Sequence, residues 1–318
     1  MDPEVSRLAV SRPEVLRPAA LRPGDTVAVV SPAGPPVPGR VAAGVALLRS
    51  WGLRPVPAAH ALARHRYLAG TDAQRAADLN AALTDPRVRG VIVTRGGYGS
   101  QRIADRIDLA TVRADPKPLV GFSDITALHL ALWRGARLAG LYGPGAAWSS
   151  RRTGAASARS LRDALMTTKP VVLAREPDAV TAPVTHPGVA CGPLLGGNLC
   201  LLASSLGTPD FPDLTGAVLL LEDVDEPPYK VDRMLTQLRR GGALDRLAGV
   251  AVGQFTRCVD GRCADVAGVL AERLTDLGVP VLGGLPVGHG DGQHTVPLGV
   301  PASLDVAAGT LTVSPAVR

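Results

Sequence analysis

With 318 residues, 46% of them hydrophobic, the chain is long enough for two domains of ordinary size and too apolar to remain disordered. Its net charge of +6 is carried almost wholly by arginines scattered among acids, and aromatics make up only 3%, so nucleic acid is not an expected partner: there is no basic run and no base-stacking surface. No apolar stretch reaches the roughly 18 residues of a membrane helix, and Met1-Asp2-Pro3-Glu4-Val5-Ser6 lacks the basic start and apolar core of a secretory signal, so no membrane partner and a cytoplasmic location are expected.

Residues 1–20 hold two Arg-Pro pairs and little periodicity, which predicts an extended N-terminal arm. Thr26 to Ser31 is the first clear strand, closed by Pro32-Ala33-Gly34-Pro35-Pro36, a turn without the glycine pattern of a dinucleotide site. Arg40 to Ser50 reads as a helix stopped by Gly52. Thr71-Asp72-Ala73-Gln74 is a capping box, and the helix behind it is expected to bury Ala77, Leu79 and Leu83 before Asp85-Pro86 ends it. Val88 to Thr94 is a strand that opens into Arg95-Gly96-Gly97-Tyr98-Gly99-Ser100 and another helix. A short strand then runs into Gly121-Phe122-Ser123-Asp124, followed by a helix from Asp124 to Ala136. This alternation predicts an α/β domain over 21–150, a parallel sheet with crossover helices. Between 151 and 187 the texture turns polar and then rich in Pro, Thr and Val, which predicts a linker. Residues 188–318 read as a smaller α/β domain. It would hold a helix near Gly196 to Leu206, a strand to Glu222, a helix from Tyr229 to Arg240, a strand from Leu247 to Gln254, a helix from Ala264 to Leu277, and a strand leading to His289.

Three strand ends carry the chemistry. Ser123 stands where a strand turns sharply into a helix, a setting that exposes a hydroxyl and gathers N–H groups at a helix start. The second glycine of the usual Gly-x-Ser-x-Gly elbow is missing, so the string alone also fits an ordinary turn. Glu222 ends the apolar run from Ala217 to Leu221, and His289 follows the run from Val279. In open α/β sheets ligands gather beyond the carboxyl ends of strands, so serine, histidine and glutamate could meet in a relay. Each has a plainer reading: Glu222 opens an acidic cluster, Glu222-Asp223-Val224-Asp225-Glu226, that could be a solvated loop or a cation site, and His289 lies in a glycine-rich loop. The glycines of 95–99 could form a tight turn or an anion-holding turn.

Cys191, Cys200, Cys258 and Cys263 form no Cys-x-x-Cys pair and are expected as buried reduced thiols. His289 and His294 share one loop, but no third ligand of suitable spacing stands nearby, so no metal is expected.

Taken in order, several strings resemble the LD-carboxypeptidase family of serine peptidases, the muramoyltetrapeptide carboxypeptidases. They are Pro23-Gly24-Asp25-Thr26-Val27-Ala28-Val29-Val30-Ser31-Pro32, Arg95-Gly96-Gly97-Tyr98-Gly99, Gly121-Phe122-Ser123-Asp124-Ile125-Thr126-Ala127-Leu128, Gly196-Gly197-Asn198-Leu199, Leu221-Glu222-Asp223, Tyr229-Lys230-Val231-Asp232-Arg233-Met234-Leu235, and Gly288-His289 with Pro297-Leu298-Gly299. The resemblance runs from about Leu21 to the C-terminus. It implies a flavodoxin-like N-terminal domain, with a smaller C-terminal domain supplying Glu222 and His289. Ser123 would be the nucleophile, His289 the base and Glu222 its orienter. The oxyanion hole would use the N–H of Asp124 and one from the Gly96-Gly97 turn, assigned to Gly97. The implied reaction releases terminal D-alanine from a cytoplasmic murein tetrapeptide during cell-wall recycling, by a homodimer without metal or organic cofactor. A neighbouring branch resembles the microcin C immunity peptidases, which cleave aminoacyl-sulfamoyl nucleotides; it tends to carry Asn where Tyr98-Gly99 stands, so the chain leans to the murein branch. An amidase of the same fold with another acyl substrate, or a non-catalytic binding protein, would fit the same strings. Arg95 is a candidate for the substrate carboxylate.

Overall fold

The computed structural model describes residues 14–150, 153–260 and 265–318. Five strands, β1 (Thr26–Val30), β2 (Arg54–Pro57), β3 (Val88–Val93), β4 (Leu119–Gly121) and β5 (Gly140–Tyr142), run parallel in the order 2-1-3-4-5. That is the flavodoxin-like order, with its switch point between β1 and β3. Helices α1 (Pro38–Ser50), α2 (Asp72–Thr84), α3 (Leu109–Ala114) and α4 (Thr126–Ala136) connect the strands. A parallel sheet covered on both faces needs uninterrupted apolar strands, and Val27, Val29, Val30, Val91, Ile92 and Val93 are all fully buried.

The capping box on α2 forms as expected: the Thr71 hydroxyl accepts from Gln74 N–H, and the Gln74 side chain accepts from Thr71 N–H. The buried face is Arg75, Ala76, Asp78, Leu79, Ala82 and Leu83, whereas Ala77 faces water, because two polar side chains have partners inside. Arg75 is one of them; it donates to Pro32 O and Gly99 O and pairs with Asp72, tying the turn after β1 to the turn after β3. At the other end of α2, the buried Lys117 donates to Leu83 O and Asp85 O, satisfying carbonyls the helix leaves open. The helix expected after Gly99 is a 3-10 segment, Ser100–Arg106, and the one expected from Asp124 begins as a 3-10 turn, Ser123–Ile125, before α4.

The segment 151–187, expected as a linker, instead carries α5 (Gly154–Met166), β6 (Val171–Ala174) and β7 (Thr185–His186). After it come β8 (Val189–Asn198), α6 (Leu199–Ser205), β9 (Val218–Val224), α7 (Pro228–Arg240), β10 (Gly249–Thr256), α8 (Val266–Leu274), β11 (Val281–Leu282), β12 (Val296–Leu298), β13 (Pro301–Asp305) and β14 (Thr310–Val313). The second sheet has the order β6-β14-β13-β8-β9-β10-β11-β7, parallel from β8 to β11 and antiparallel at both flanks. Residues 196–198, expected to open a helix, finish β8; the proposed start of α8 at Ala264 lies outside the described residues. Val231, Leu235 and Leu238 on α7 follow helical spacing into the core.

β12 does not join that second sheet. It pairs antiparallel with β5 and completes the first sheet as a sixth strand. The described part of the N-terminal arm is likewise anchored: Leu16 N–H donates to Arg137 O, Ala20 N–H to Arg318 O, and Arg318 N–H to Pro18 O. Of the described cysteines only Cys258 is buried; Cys191 is exposed on β8 and Cys200 is partly covered, while Cys263 lies outside the described residues.

Candidate active site

The carboxyl ends of the two sheets face one another. From the first sheet comes Ser123, half-buried, just past β4, with φ of 65°. A non-glycine residue in the left-handed region stores about 1–3 kcal/mol of strain and persists only where surroundings enforce it. Two contacts enforce it here. Ser123 N–H donates to Tyr142 Oη at 3.0 Å, at the end of β5. The turn after β3 presses from the other side: a Cβ on Gly96 would lie 2.9 Å from Ser123 Cβ and 3.1 Å from Asp124 N, so only glycine lets the turn approach.

Asp124, 2% exposed, turns its carboxylate away from the cleft to accept the Ser100 N–H at 2.8 Å and the Ser100 hydroxyl. Its side chain therefore fastens the start of the Ser100–Arg106 segment, leaving its backbone N–H beside Gly96. His129 on α4 backs the same strand end. Burial pushes its pKa down to about 4, so it is neutral, and its Nε2–H donates to Gly121 O.

From the second sheet, Glu222 ends the apolar run of β9 fully buried. Its Oε2 accepts from His289 Nδ1 at 2.6 Å; its Oε1 accepts from Tyr142 Oη at 2.7 Å and from Asn198 Nδ2 at 3.3 Å. His289 does not leave a strand, as its apolar run suggested; β11 ends at Leu282, and the following loop carries the ring back. Gly288, with φ of 129°, makes that possible: a Cβ there would lie 2.6 Å from Glu222 Oε2. The imidazole is 14% exposed and packs against Phe122, with ring centroids 4.9 Å apart. The Gly290 N–H bond to Gln254 Oε1, at 2.8 Å, pins the loop behind it.

The acidic cluster divides: Asp225 is exposed and pairs with Arg257, while Glu222 and Asp223 are buried. Asp223, 2% exposed, accepts from Asn198 Nδ2 at 2.9 Å, Val224 N–H at 2.8 Å and Cys200 N–H at 3.0 Å. Burial, and then the adjacent Glu222 charge, push its carboxyl up to about 7. No group of three or more potential metal ligands occurs among the described residues.

Ser123 and His289 line one cavity of about 220 Å³ together with Arg95, Gly96, Gly97, Phe122, Gln293 and Arg40. Arg40, on α1, is a residue the sequence reading missed; like Arg95 it is exposed. Tyr142 and Asn198 were also not assigned roles. Tyr142 had a signal, since Gly140-Leu141-Tyr142-Gly143-Pro144 is another apolar strand running into a turn. Arg40 had none, because only the folded chain brings α1 to this cleft. A larger cavity of about 940 Å³, lined by Trp133, Arg137 and Phe211 among others, holds none of the three relay residues.

Residues 27–143 match the family model of the LD-carboxypeptidase N-terminal domain, and residues 191–304 that of the C-terminal domain. The chain belongs to the LD-carboxypeptidase family. It is thus a hydrolase of the serine-peptidase type, and β12, Glu222 and His289 all fall in the second of these matches. A Bacillus subtilis relative named probable murein peptide carboxypeptidase is 38% identical over 302 residues, 92% of this chain and 93% of the relative. The murein tetrapeptide carboxypeptidase of Pseudomonas aeruginosa is 34% identical over 253 residues, 77% of this chain and 82% of that protein. Among solved structures, the microcin C7 self-immunity protein superimposes with a TM-score of 0.84, covering 94% of this chain and 98% of that one at 23% identity, which shows a shared fold.

Proposed function

We propose that this LD-carboxypeptidase family member cleaves the bond between the L-centre of the diamino acid and the terminal D-alanine of a murein tetrapeptide. The observation that carries the reading is the buried Glu222–His289 pair at 2.6 Å opening onto the cavity that holds Ser123. Glu222 accepts from Nδ1–H, which leaves Nε2 as the unprotonated nitrogen facing the cleft. His289 Nε2 takes the Ser123 hydroxyl proton as Oγ attacks the scissile carbonyl carbon. The carbonyl electron pair moves onto oxygen, where the N–H groups of Asp124 and Gly97 would receive it. On collapse, the imidazolium gives its proton to the departing D-alanine nitrogen, leaving an acyl-serine. Water, deprotonated by the same imidazole, then attacks that ester and restores Ser123.

Arg95 and Arg40 supply the end-recognition. Two guanidinium groups on the wall of a small cavity suit a terminal carboxylate. A space of about 220 Å³ is smaller than the 300 Å³ or more of typical ligand sites, which favours one chain-terminal residue over a continuing peptide. The murein relatives support the substrate. A cytoplasmic homodimer serving cell-wall recycling completes the reading, supported by the family resemblance; no helix of the described residues is long and apolar enough to cross a membrane.

The test is incubation with a murein tetrapeptide and detection of free D-alanine, beside the same peptide carrying a C-terminal amide. Release from the acid and little from the amide is expected. No release from either, with cleavage of an aminoacyl-sulfamoyl nucleotide instead, would replace this substrate with the immunity-type one. Arg95→Ala should raise KM for the acid about tenfold or more while changing kcat less, as loss of uniform binding does.

A further inference from the structure

Tyr142 is 1% exposed, and its hydroxyl meets two relay residues as well as the Thr126 side chain. A backbone N–H can only donate, and the Glu222 carboxylate can only accept, so the direction of the chain is fixed. Ser123 N–H donates to Tyr142 Oη at 3.0 Å, Tyr142 Oη–H donates to Glu222 Oε1 at 2.7 Å, and Glu222 Oε2 accepts His289 Nδ1–H at 2.6 Å. A buried tyrosine needs one partner to be satisfied. This one accepts from the nucleophile's backbone, shares its oxygen with Thr126, and gives its one proton to the histidine's carboxylate. It also links the two sheets, since β5 lies in the first and β9 in the second. Its ring is held edge-on by Phe122, with centroids 6.3 Å apart at 88°, and flanked by His129 at 6.1 Å.

We propose that Tyr142 is a positioning residue with two effects: it holds Ser123 in the left-handed conformation, and it draws charge from Glu222 so that His289 remains a neutral base near neutral pH. The inference rests on the Ser123–His289–Glu222 reading above. A hydrogen bond donated to a carboxylate stabilises its charge and makes it a weaker partner for a neighbouring imidazolium. Without the phenol, Glu222 Oε1 keeps only the longer Asn198 contact at 3.3 Å, and the carboxylate favours the protonated histidine more strongly. Burial, reinforced by Glu222, pushes the phenol well above its ordinary value, so it stays a donor throughout the working range. The other charged or titratable groups around the pair are Asp223 beside Glu222, Arg40 and Arg95 across the cavity, His129 behind the phenol and Cys258 toward β10. They are the same in every variant, so comparing variants isolates Tyr142.

The experiment is an NMR titration of the His289 ring, assigned by the signal missing from His289→Gln. It compares the parent, Tyr142→Phe, and protein with 3-fluorotyrosine at position 142, which keeps both bonds and donates more strongly. The His289 midpoint should rise by about 0.5 pH unit or more in Tyr142→Phe and fall in the fluorinated protein. On a murein tetrapeptide, Tyr142→Phe should lose about tenfold or more in kcat with KM within twofold, and the fluorinated protein should stay near the parent. An unmoved midpoint in Tyr142→Phe, or a kcat within twofold of the parent, overturns the proposal. If Tyr142→Phe does not fold, the fluorinated protein decides, and an unmoved or raised midpoint overturns it. Should the parent release no D-alanine, the substrate reading fails, while the midpoint still judges Tyr142.

Discussion

Ser123 and Glu222 stand at neighbouring strand ends and are held in place by opposite means. Around Ser123 the work falls to backbone: a positive φ, a glycine turn pressed to within van der Waals contact, and the N–H of Asp124 beside Gly96. Around Glu222 it falls to side chains: two adjacent buried carboxylates, held by a tyrosine, an asparagine, a histidine and backbone N–H groups. The first arrangement is sensitive to shape, and the second to charge. A Cβ in the wrong place should therefore damage the serine side, and a lost or gained charge the glutamate side.

The sharpest break is Ser123→Ala, which should abolish hydrolysis while leaving the fold intact. Loss of the nucleophile of such a relay costs on the order of 10⁶ in kcat. Activity within tenfold of the parent, measured by D-alanine release, would remove Ser123 from the mechanism.

Glu222→Gln comes next, at about 10⁴ in kcat, less than or equal to His289→Ala, because the carboxylate orients and stabilises without transferring the proton. The assignment would pass to the neighbour if Glu222→Gln kept full activity and Asp223→Asn lost it.

Gly96→Ala tests the shape-sensitive side. The new methyl group meets Ser123 Cβ at 2.9 Å and the Asp124 and Phe122 backbone at 3.1 Å, so turn or nucleophile must shift. Displacing one oxyanion donor costs roughly 10² in kcat. A kinetically normal Gly96→Ala enzyme would show that the turn has no part in holding the oxyanion.

The smallest effect is on stability and belongs to Asp223. Its folded value of about 7 lies above that of an unfolded aspartate, about 3.9, so between these limits the folded protein keeps a proton that the unfolded chain has released. Stability from this group is thus present at low pH and lost as pH rises through 7. Asp223→Asn has no such loss. Relative to the parent it should gain about 3 kcal/mol between pH 5 and pH 8 in denaturant unfolding. A stability difference independent of pH would place the Asp223 carboxyl in the ordinary range.

The two sides also differed in how far they could be read from the residues. The serine turn was legible because its signals are local: an apolar strand, a small residue, a helix start, and a glycine turn at the end of the adjacent strand in the flavodoxin-like order. Glu222 was legible as a strand end, but its neighbour Asp223 was not, since an acidic cluster is solvated far more often than buried; only the Asn198, Val224 and Cys200 N–H groups make burial tolerable. His289 was placed by chemistry and not by structure: the run before it suggested a strand, but a loop delivers the ring. Strands β6, β7 and β12 escaped notice because they are two to four residues long and draw their stability from partners about 95 or more residues away. The same holds for Arg40, which becomes a candidate only once α1 is folded against the cleft.

β12 has a consequence for the order in which the enzyme is built. Residues 296–298 supply the outer strand of a sheet whose other five members were all made by residue 142. While the chain is still on the ribosome, β5 is an open edge, and its last residue is the tyrosine that later grips both Ser123 and Glu222. Glu222 and His289 have not yet emerged either. Ser123 is thus translated early, but on the proposed relay it gains its base and orienter only after residue 289 has been made, so a product truncated before that point carries the serine without them.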